Sequence, residues 1–251
     1  MKRLKYLLIF INSIRFIKNW FFLPFVFIGK YNLIKLKNGL AFHVYDFLNV
    51  LQIIEIFKNE DYKSTIKNPK VIIDIGANIG DSSIYYARKF PDSTIYAIEA
   101  NKKVFRYLIK NITTNNINNV IPYNLAISNK SGYINFYNYE KSGLSSYFNT
   151  KNQKFGRAKV KSLTLKKFFQ ANHILVCDIL KLDCEGAEFD IILNFKSETL
   201  KQIKSIILEY HDSLTNYNHS LIFKFLKKNG YNVKIRPHNI EKDIGIIYAK
   251  K

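Results

Sequence analysis

Hydrophobic and polar positions change period several times along this chain, and each change marks an element. Residues 32–44, NLIKLKNGLAFHV, alternate on both sides of Asn38-Gly39, which predicts a hairpin whose turn needs φ > 0 twice. Over 46–62 the apolar positions Phe47, Leu48, Leu51, Ile54 and Phe57 form the stripe of an amphipathic helix, and Lys63 to Lys70 reads as a linker. From Val71, β-branched runs alternate with helical periods: strand 71–75 then helix 79–90, strand 93–99 then helix 101–115, and a third strand near 120–127. Asp74 alone interrupts Val71, Ile72, Ile73 and Ile75, the density of a strand buried on both faces.

Between Ser128 and Leu165 the period becomes that of strands. GYINFYNYE alternates, a polar Gly/Ser loop follows, and AKVKSLTL completes a β-insertion whose loop at 142–157 is a candidate substrate lid. The core resumes with ILVCDILKLDCEGAEFDIIL as strand and helix, SIILEYH (205–211) as a fifth strand, and SLIFKFLKKNGY (220–231) as a short helix closed by Gly230. NVKIRP and DIGIIYAK supply two more strands, which bring the count to seven. This alternation predicts a doubly wound α/β fold, a mostly parallel sheet with helices on both faces. Three regions result: a basic, aromatic-rich segment over 1–30, a hairpin and helix over 31–62 that cap the core, and the main domain over 63–251 with its insertion at 128–165.

A length of 251 residues and 47% hydrophobic content suffice for one such domain with an extension, and exclude a disordered chain. The net charge of +20 accompanies a chain-wide excess of Lys, Asn, Ile, Phe and Tyr, so base composition explains it as readily as a polyanionic partner. Cys177 and Cys184 have neither a disulfide framework nor metal spacing and read as reduced thiols of a cytoplasmic protein. The N-terminal segment departs from the average. No acidic residue precedes Asp46, whereas Lys2, Arg3, Lys5, Arg15, Lys18, Lys30, Lys35 and Lys37 are basic, and Trp20, Phe21, Phe22, Phe25 and Phe27 crowd one short stretch. Arg15 and Lys18 divide its apolar residues into runs shorter than the roughly 18–20 that cross a bilayer, and no signal-peptide cleavage site follows. Two placements fit: peripheral contact with the anionic inner face of a membrane, or a helix packed on the domain.

The chemistry starts at VIIDIGANIGDSS (71–83). A strand-to-helix turn with Gly76 and Gly80 exposes bare backbone and helix-start N–H groups to a ligand. Glu99 ends the next strand 23 residues after Gly76, about where an acid accepts hydrogen bonds from ribose hydroxyls. The loop lacks the middle glycine of G-x-G-x-x-G, which admits a pyrophosphate, so a nucleoside without pyrophosphate fits better. The turn resembles the D-x-G-x-x-x-G pattern of S-adenosylmethionine enzymes. That resemblance assigns Asp74, Gly76, Ala77, Asn78, Gly80, Asp81, Glu99 and Ala100 to the cofactor, loop backbone against its methionine part and Glu99 on its ribose.

Ligands of open α/β sheets bind beyond the carboxyl ends of the strands. Strand four ends in Lys181, Asp183, Cys184, Glu185, Gly186 and Glu188, and strand five in Glu209, Tyr210 and His211, so a lysine, four carboxylates and a histidine converge there. Together DIGANIGDSS, IEAN, LAIS, KLDCEGAE and LEYH resemble the FkbM family of S-adenosylmethionine-dependent methyltransferases over about residues 45–250. The resemblance implies a Rossmann-like class I methyltransferase fold, its seven-stranded sheet completed by an antiparallel final pair, and methyl transfer, commonly to a hydroxyl of a sugar or polyketide. Two arrangements could activate a hydroxyl. In one, His211 or Asp183 accepts its proton, with Glu185 in the cluster and Lys181 fixing the ionisation of Asp183 or Glu185. In the other, Asp183 and Glu209 hold Mg²⁺ or Mn²⁺. Glu188 falls in the first turn of the next helix, where an acid stabilises the helix start.

The favoured expectation is a cytoplasmic O-methyltransferase acting on a sugar of a surface glycan or glycolipid. RNA or another small molecule is the alternative substrate, although neither an N/D-P-P-Y/F motif nor an RNA-binding module is present, so nucleic acid is disfavoured. A non-catalytic membrane-surface module that retains the fold is the third reading.

Overall fold

The computed structural model describes residues 14–139, 154–238 and 241–251. In chain order its first elements are α1 (Leu23–Phe27), β1 (Leu33–Lys35), β2 (Ala41–His43), α2 (Phe47–Phe57), β3 (Val71–Ile75), α3 (Asp81–Lys89), β4 (Thr94–Ile98), α4 (Lys102–Thr114) and β5 (Val120–Tyr123). Then come β6 (Ala126–Ile127), β7 (Gly132–Tyr139), β8 (Lys154–Leu163), α5 (Leu165–Ala171) and β9 (Cys177–Leu182). The chain closes with α6 (Glu188–Ile192), α7 (Ser197–Lys201), β10 (Ile203–His211), α8 (Ser220–Lys228), β11 (Asn232–Pro237) and β12 (Ile244–Lys250).

Seven strands form one sheet in the order β11-β12-β10-β9-β3-β4-β5. The β9, β10, β3, β4 and β5 pairings are parallel, and β12 alone runs against both its neighbours. The sheet is covered on two sides, as its near-continuous apolar runs require. Ile73, Ile75, Leu180, Leu182, Ile206 and Leu208 pack against Phe168, Phe189 and Leu226, and the alternate residues Ile72, Ile95, Ala97, Ile179 and Ile207 against Ile56, Tyr86 and Leu108. In the register of β3 and β9, Asp74 lies directly opposite Lys181. Both are buried on the second of these faces, where Lys181 Nζ lies 3.1 Å from Asp74 Oδ1.

Several local expectations change in detail. The hairpin pairs Leu33 with His43 and Lys35 with Ala41, but its loop is Lys37–Gly39, closed by Leu36 and Leu40 with N to O 2.8 Å. Only Gly39 of the Asn38-Gly39 pair has positive φ, because a three-residue loop needs a single left-handed residue where a two-residue turn needs two. The third strand ends at Tyr123, and β6 leaves the main sheet to join β8 and β7 in a three-stranded sheet of its own. Helix α5, with Thr164 as its N-cap, stands where no helix was expected. The helix of 46–62 is shorter, α2 starting after an Asp46–Asn49 capping box. Residues 142–153 of the candidate lid and residues 1–13 lie outside the described residues.

Candidate active site

The loop after β3 is shaped first by protein contacts. A Cβ on Gly76 would stand 1.8 Å from the carbonyl oxygen of Asp183, and one on Gly80 2.7 Å from Leu108 Cδ1. Both glycines also have positive φ. Bare backbone is therefore demanded by the close passage of the β9 end and of helix α4, a different reason from the ligand approach that the sequence suggests. Lys181 Nζ donates to Gly76 O at 2.8 Å, tying the loop to β9 from beneath.

Glu99 closes the other side. Its Oε2 accepts the Asn78 N–H at 2.9 Å and its Oε1 the Asn101 N–H at 2.6 Å, while the Asn78 side chain donates to Gln52 Oε1 at 2.8 Å. Burial pushes the Glu99 carboxyl up to about 7, against the pull of the two N–H groups. Gly76, Asn78, Glu99 and Ala100 line a cavity whose remaining wall includes apolar Val104, Leu125 and Ile127. An acceptor carboxylate between apolar walls and a polar loop fits a nucleoside with a polar tail. Asp74, Ala77, Gly80 and Asp81 stand behind this cavity. Asp74 accepts the Ser82 and Ser83 hydroxyls, each at 2.6 Å, Asp81 accepts the Ser82 N–H at 2.9 Å, and Ala77 is fully buried in the core. Their part is to hold the loop.

The strand-end acids meet beside the same cavity. Asp183, Cys184 and Glu185 line it. His211 is buried between two carboxylates, its Nε2 3.8 Å from Glu185 Oε2 and its Nδ1 3.6 Å from Glu188 Oε1. Burial disfavours its charge, but Glu185, then Glu188 and Glu209, outweigh that and hold the imidazole well above its ordinary range. Burial in turn raises Glu185 to about 8, His211 opposing. Glu188 accepts the N–H groups of Cys184 and Gly186, so it clasps the turn that leads into α6. Lys181 is raised as well: desolvation works against its charge, and Asp74, Asp183 and Asp81 prevail.

Tyr62, which the sequence reading passed over, completes the group. Its buried hydroxyl lies 2.6 Å from Glu209 Oε2 and 3.0 Å from Asp183 Oδ2, and Lys181 Nζ stands 5.1 Å from its ring centre. Gln52, and Ser128, Asn129 and Ile134 at the start of the insertion, also line the cavity unforeseen. Gln52 lies outside the apolar stripe of its helix, and its spacing gives no signal. The structure thus brings Lys181, Asp183, Glu185, Glu209 and His211 together, with a phenol between the two acids expected to share a metal.

Residues 74–233, more than half of the chain, match the Methyltransferase FkbM domain model. The chain is 24% identical over 180 residues to "Methyltransferase 1" of Beauveria bassiana, covering 63% of this chain and 72% of that protein. It is equally 24% identical over 186 residues to "Methyltransferase sdnD" of Sordaria araneosa, covering 62% and 72%. Among solved structures, methyltransferase FkbM from Methylobacillus flagellatus KT superposes with a TM-score of 0.52 at 12% identity, over 78% of this chain and 47% of that one, a likeness of fold. The acidic turn at 181–188 and the donor-side loop at 74–81 both fall inside the matched stretch, and the chain belongs to the FkbM family of S-adenosylmethionine-dependent methyltransferases.

Proposed function

We propose that the enzyme is an O-methyltransferase that carries the methyl group of S-adenosylmethionine to a sugar hydroxyl of a surface glycan or glycolipid. One observation supports this above the others: Asp183, a carboxylate backed by Tyr62 and Glu209, lines the same cavity as the Gly76 loop and Glu99. Glu99 and the backbone of 76–78 would hold the ribose and methionine parts of the donor. Transfer from a sulfonium is an in-line displacement, so positioning supplies much of the rate. A hydroxyl, being a weak nucleophile, needs a partner for its proton. The acceptor oxygen bonds to the methyl carbon, the carbon–sulfur pair returns to sulfur, and the hydroxyl proton passes to Asp183. His211 lies 3.8 Å from Glu185 and 3.6 Å from Glu188 and does not line the cavity, so the base role falls to Asp183, which does. Lys181 positions Asp183, 3.8 Å from its Oδ2.

Divalent Mg²⁺ or Mn²⁺ on Asp183 and Glu209 is the other arrangement, and when bound it would lower the pKa of an acceptor hydroxyl. It has to displace the Tyr62 hydroxyl from both acids. Asp183, Glu188 and His211 offer a second donor set, with ligand atoms within 4.8 Å of one another, yet both Glu188 oxygens already accept backbone N–H groups. The proton-acceptor arrangement is therefore preferred.

The test is formation of S-adenosylhomocysteine with nucleotide sugars, lipid-linked saccharides and RNA as acceptors, with and without EDTA. Turnover on a sugar hydroxyl, undiminished by EDTA, is expected. Methylation of RNA in its place would overturn the sugar reading, and activity lost in EDTA and restored by Mg²⁺ would overturn the metal-free mechanism.

A further inference from the structure

The N-terminal segment has two faces, and they satisfy both placements that its sequence allows. Ile17, Leu23 and Val26 are buried and belong to one cluster with Ile34, Phe42, Val50 and Ile79. Hydrogen bonds fix that docking: Lys18 N–H donates to Lys35 O at 2.7 Å, and the Asn19 side chain donates through Nδ2 to Leu33 O at 2.9 Å while its Oδ1 accepts the Lys35 N–H at 2.7 Å. On the other side Trp20, Phe21, Phe25, Phe27 and Ile28 are 47%, 55%, 48%, 72% and 58% exposed. Five of the twelve exposed large apolar side chains among the described residues thus fall within nine consecutive positions. Single exposed apolar residues are ordinary, whereas a contiguous set marks an interaction face.

The segment that carries this face has charges of one sign only. Arg15, Lys18, Lys30, Lys35 and Lys37 are exposed, and no Asp or Glu occurs before Asp46. Lys110 of the neighbouring helix α4 lies close enough to the hairpin to help depress His43, after the larger effect of burial. Residues 1–13 add Lys2, Arg3 and Lys5 beside the apolar run Leu7–Ile11, so the chain outside the described residues repeats the same chemistry.

We propose that the exposed face of residues 20–28 docks the enzyme on an anionic lipid bilayer. Trp and Phe side chains enter the headgroup boundary, where an amphipathic ring is at home. Lys and Arg side chains around them meet lipid phosphates, each adding to the attraction near the surface. A second copy of the chain fits this face poorly, since a twofold dimer would set the basic patch against itself. The face is also close to the donor cavity. Phe27 packs edge-on to Phe47 with centroids 5.5 Å apart, and Phe47 opens helix α2, whose Gln52 lines the cavity. Docking there stands whichever acceptor the enzyme uses.

Trp20 is the single tryptophan of the chain, so its fluorescence reports the face without a label. Full-length protein is titrated with phosphatidylcholine vesicles, pure or with about 30% phosphatidylglycerol, and its flotation is measured in parallel. Trp20 emission is expected to move to shorter wavelength with the anionic vesicles, with affinity at least about tenfold above pure phosphatidylcholine and falling as salt rises. The variants Phe25→Ser/Phe27→Ser and Lys18→Glu/Lys30→Glu should each weaken binding by about tenfold or more. S-Adenosylmethionine binding, whose residues neither variant touches, should be unchanged and certifies the fold. Silence of Trp20 with anionic vesicles, or partition that survives both variants, would overturn the proposal. So would a lipid-free dimer with Trp20 emission already shifted and no flotation, which would assign the face to a second copy.

Discussion

The Tyr62 hydroxyl lies 2.6 Å from Glu209 Oε2 and 3.0 Å from Asp183 Oδ2. A phenol has one proton to donate, so the two acids share it unless one of them carries a proton of its own. Glu209 suits that state, because burial and then Asp183 push its carboxyl up to about 7. Tyr62→Phe removes the bridge and keeps the ring beneath Lys181. Steady-state kinetics should show kcat lower by about tenfold or more with the acid limb of its pH profile displaced, and calorimetry an unaltered donor affinity. A purely structural tyrosine would leave the pH profile in place.

Asp183→Asn is nearly isosteric and removes the proton acceptor. Turnover on a hydroxyl acceptor should fall about a hundredfold or more, with donor Kd close to wild type. Equal losses of kcat and donor affinity would place Asp183 in cofactor binding instead.

Glu99 gives the donor site a pH dependence. Ribose hydroxyls donate best to a charged carboxylate, and this one titrates near 7 because burial raises it. Donor affinity measured by calorimetry should therefore rise from about pH 6 to pH 8 and then level off. Glu99→Gln should flatten that slope and weaken binding by about tenfold. Stability of the donor-free protein runs the other way. A carboxyl whose folded pKa is raised contributes stability that is fully present below the unfolded glutamate value and is lost as pH rises through about 7. Thermal melts of wild type should decline across that window, and those of Glu99→Gln less.

Gly76→Ala tests packing rather than binding. Its methyl would stand 1.8 Å from Asp183 O, against main chain whose own N–H donates to Ile75 O at 3.1 Å, and φ at this position is 76°. Urea unfolding should show a loss of about 2–4 kcal/mol. Saturating donor should restore only the part that its own binding adds.

Much of this was legible in the sequence because the central strands are buried twice over. Val71–Ile75 occupies its expected span, the count of seven strands holds, and the reversed final strand agrees with the family resemblance. The exceptions have physical causes. Leu165–Ala171 is seven residues long, too short for a helical period, and only the Thr164 N-cap announces it. Asn38-Gly39 signals a hairpin faithfully but not its loop length, which the Leu36–Leu40 pairing decides. Tyr62 could not be seen at all, since its partners lie 121 and 147 residues further along the chain. In the donor loop the glycines were found but their crowding was not, because the atom that crowds Gly76 belongs to Asp183, more than a hundred residues further along the chain.

The pairing of Asp74 with Lys181 has a consequence for how the sheet is assembled. Successive residues of a strand point to opposite faces, so a slip of one residue between β3 and β9 turns every side chain over. Slipped, Lys181 would leave the face it shares with Asp74 and enter the one held by Leu180 and Leu182, with Phe168 and Phe189 above it. An ammonium there would have no counter-charge, and such a state is costly. An all-apolar pair at these positions would tolerate the slip. The buried ion pair thus singles out one alignment of two strands whose apolar residues alone would accept either.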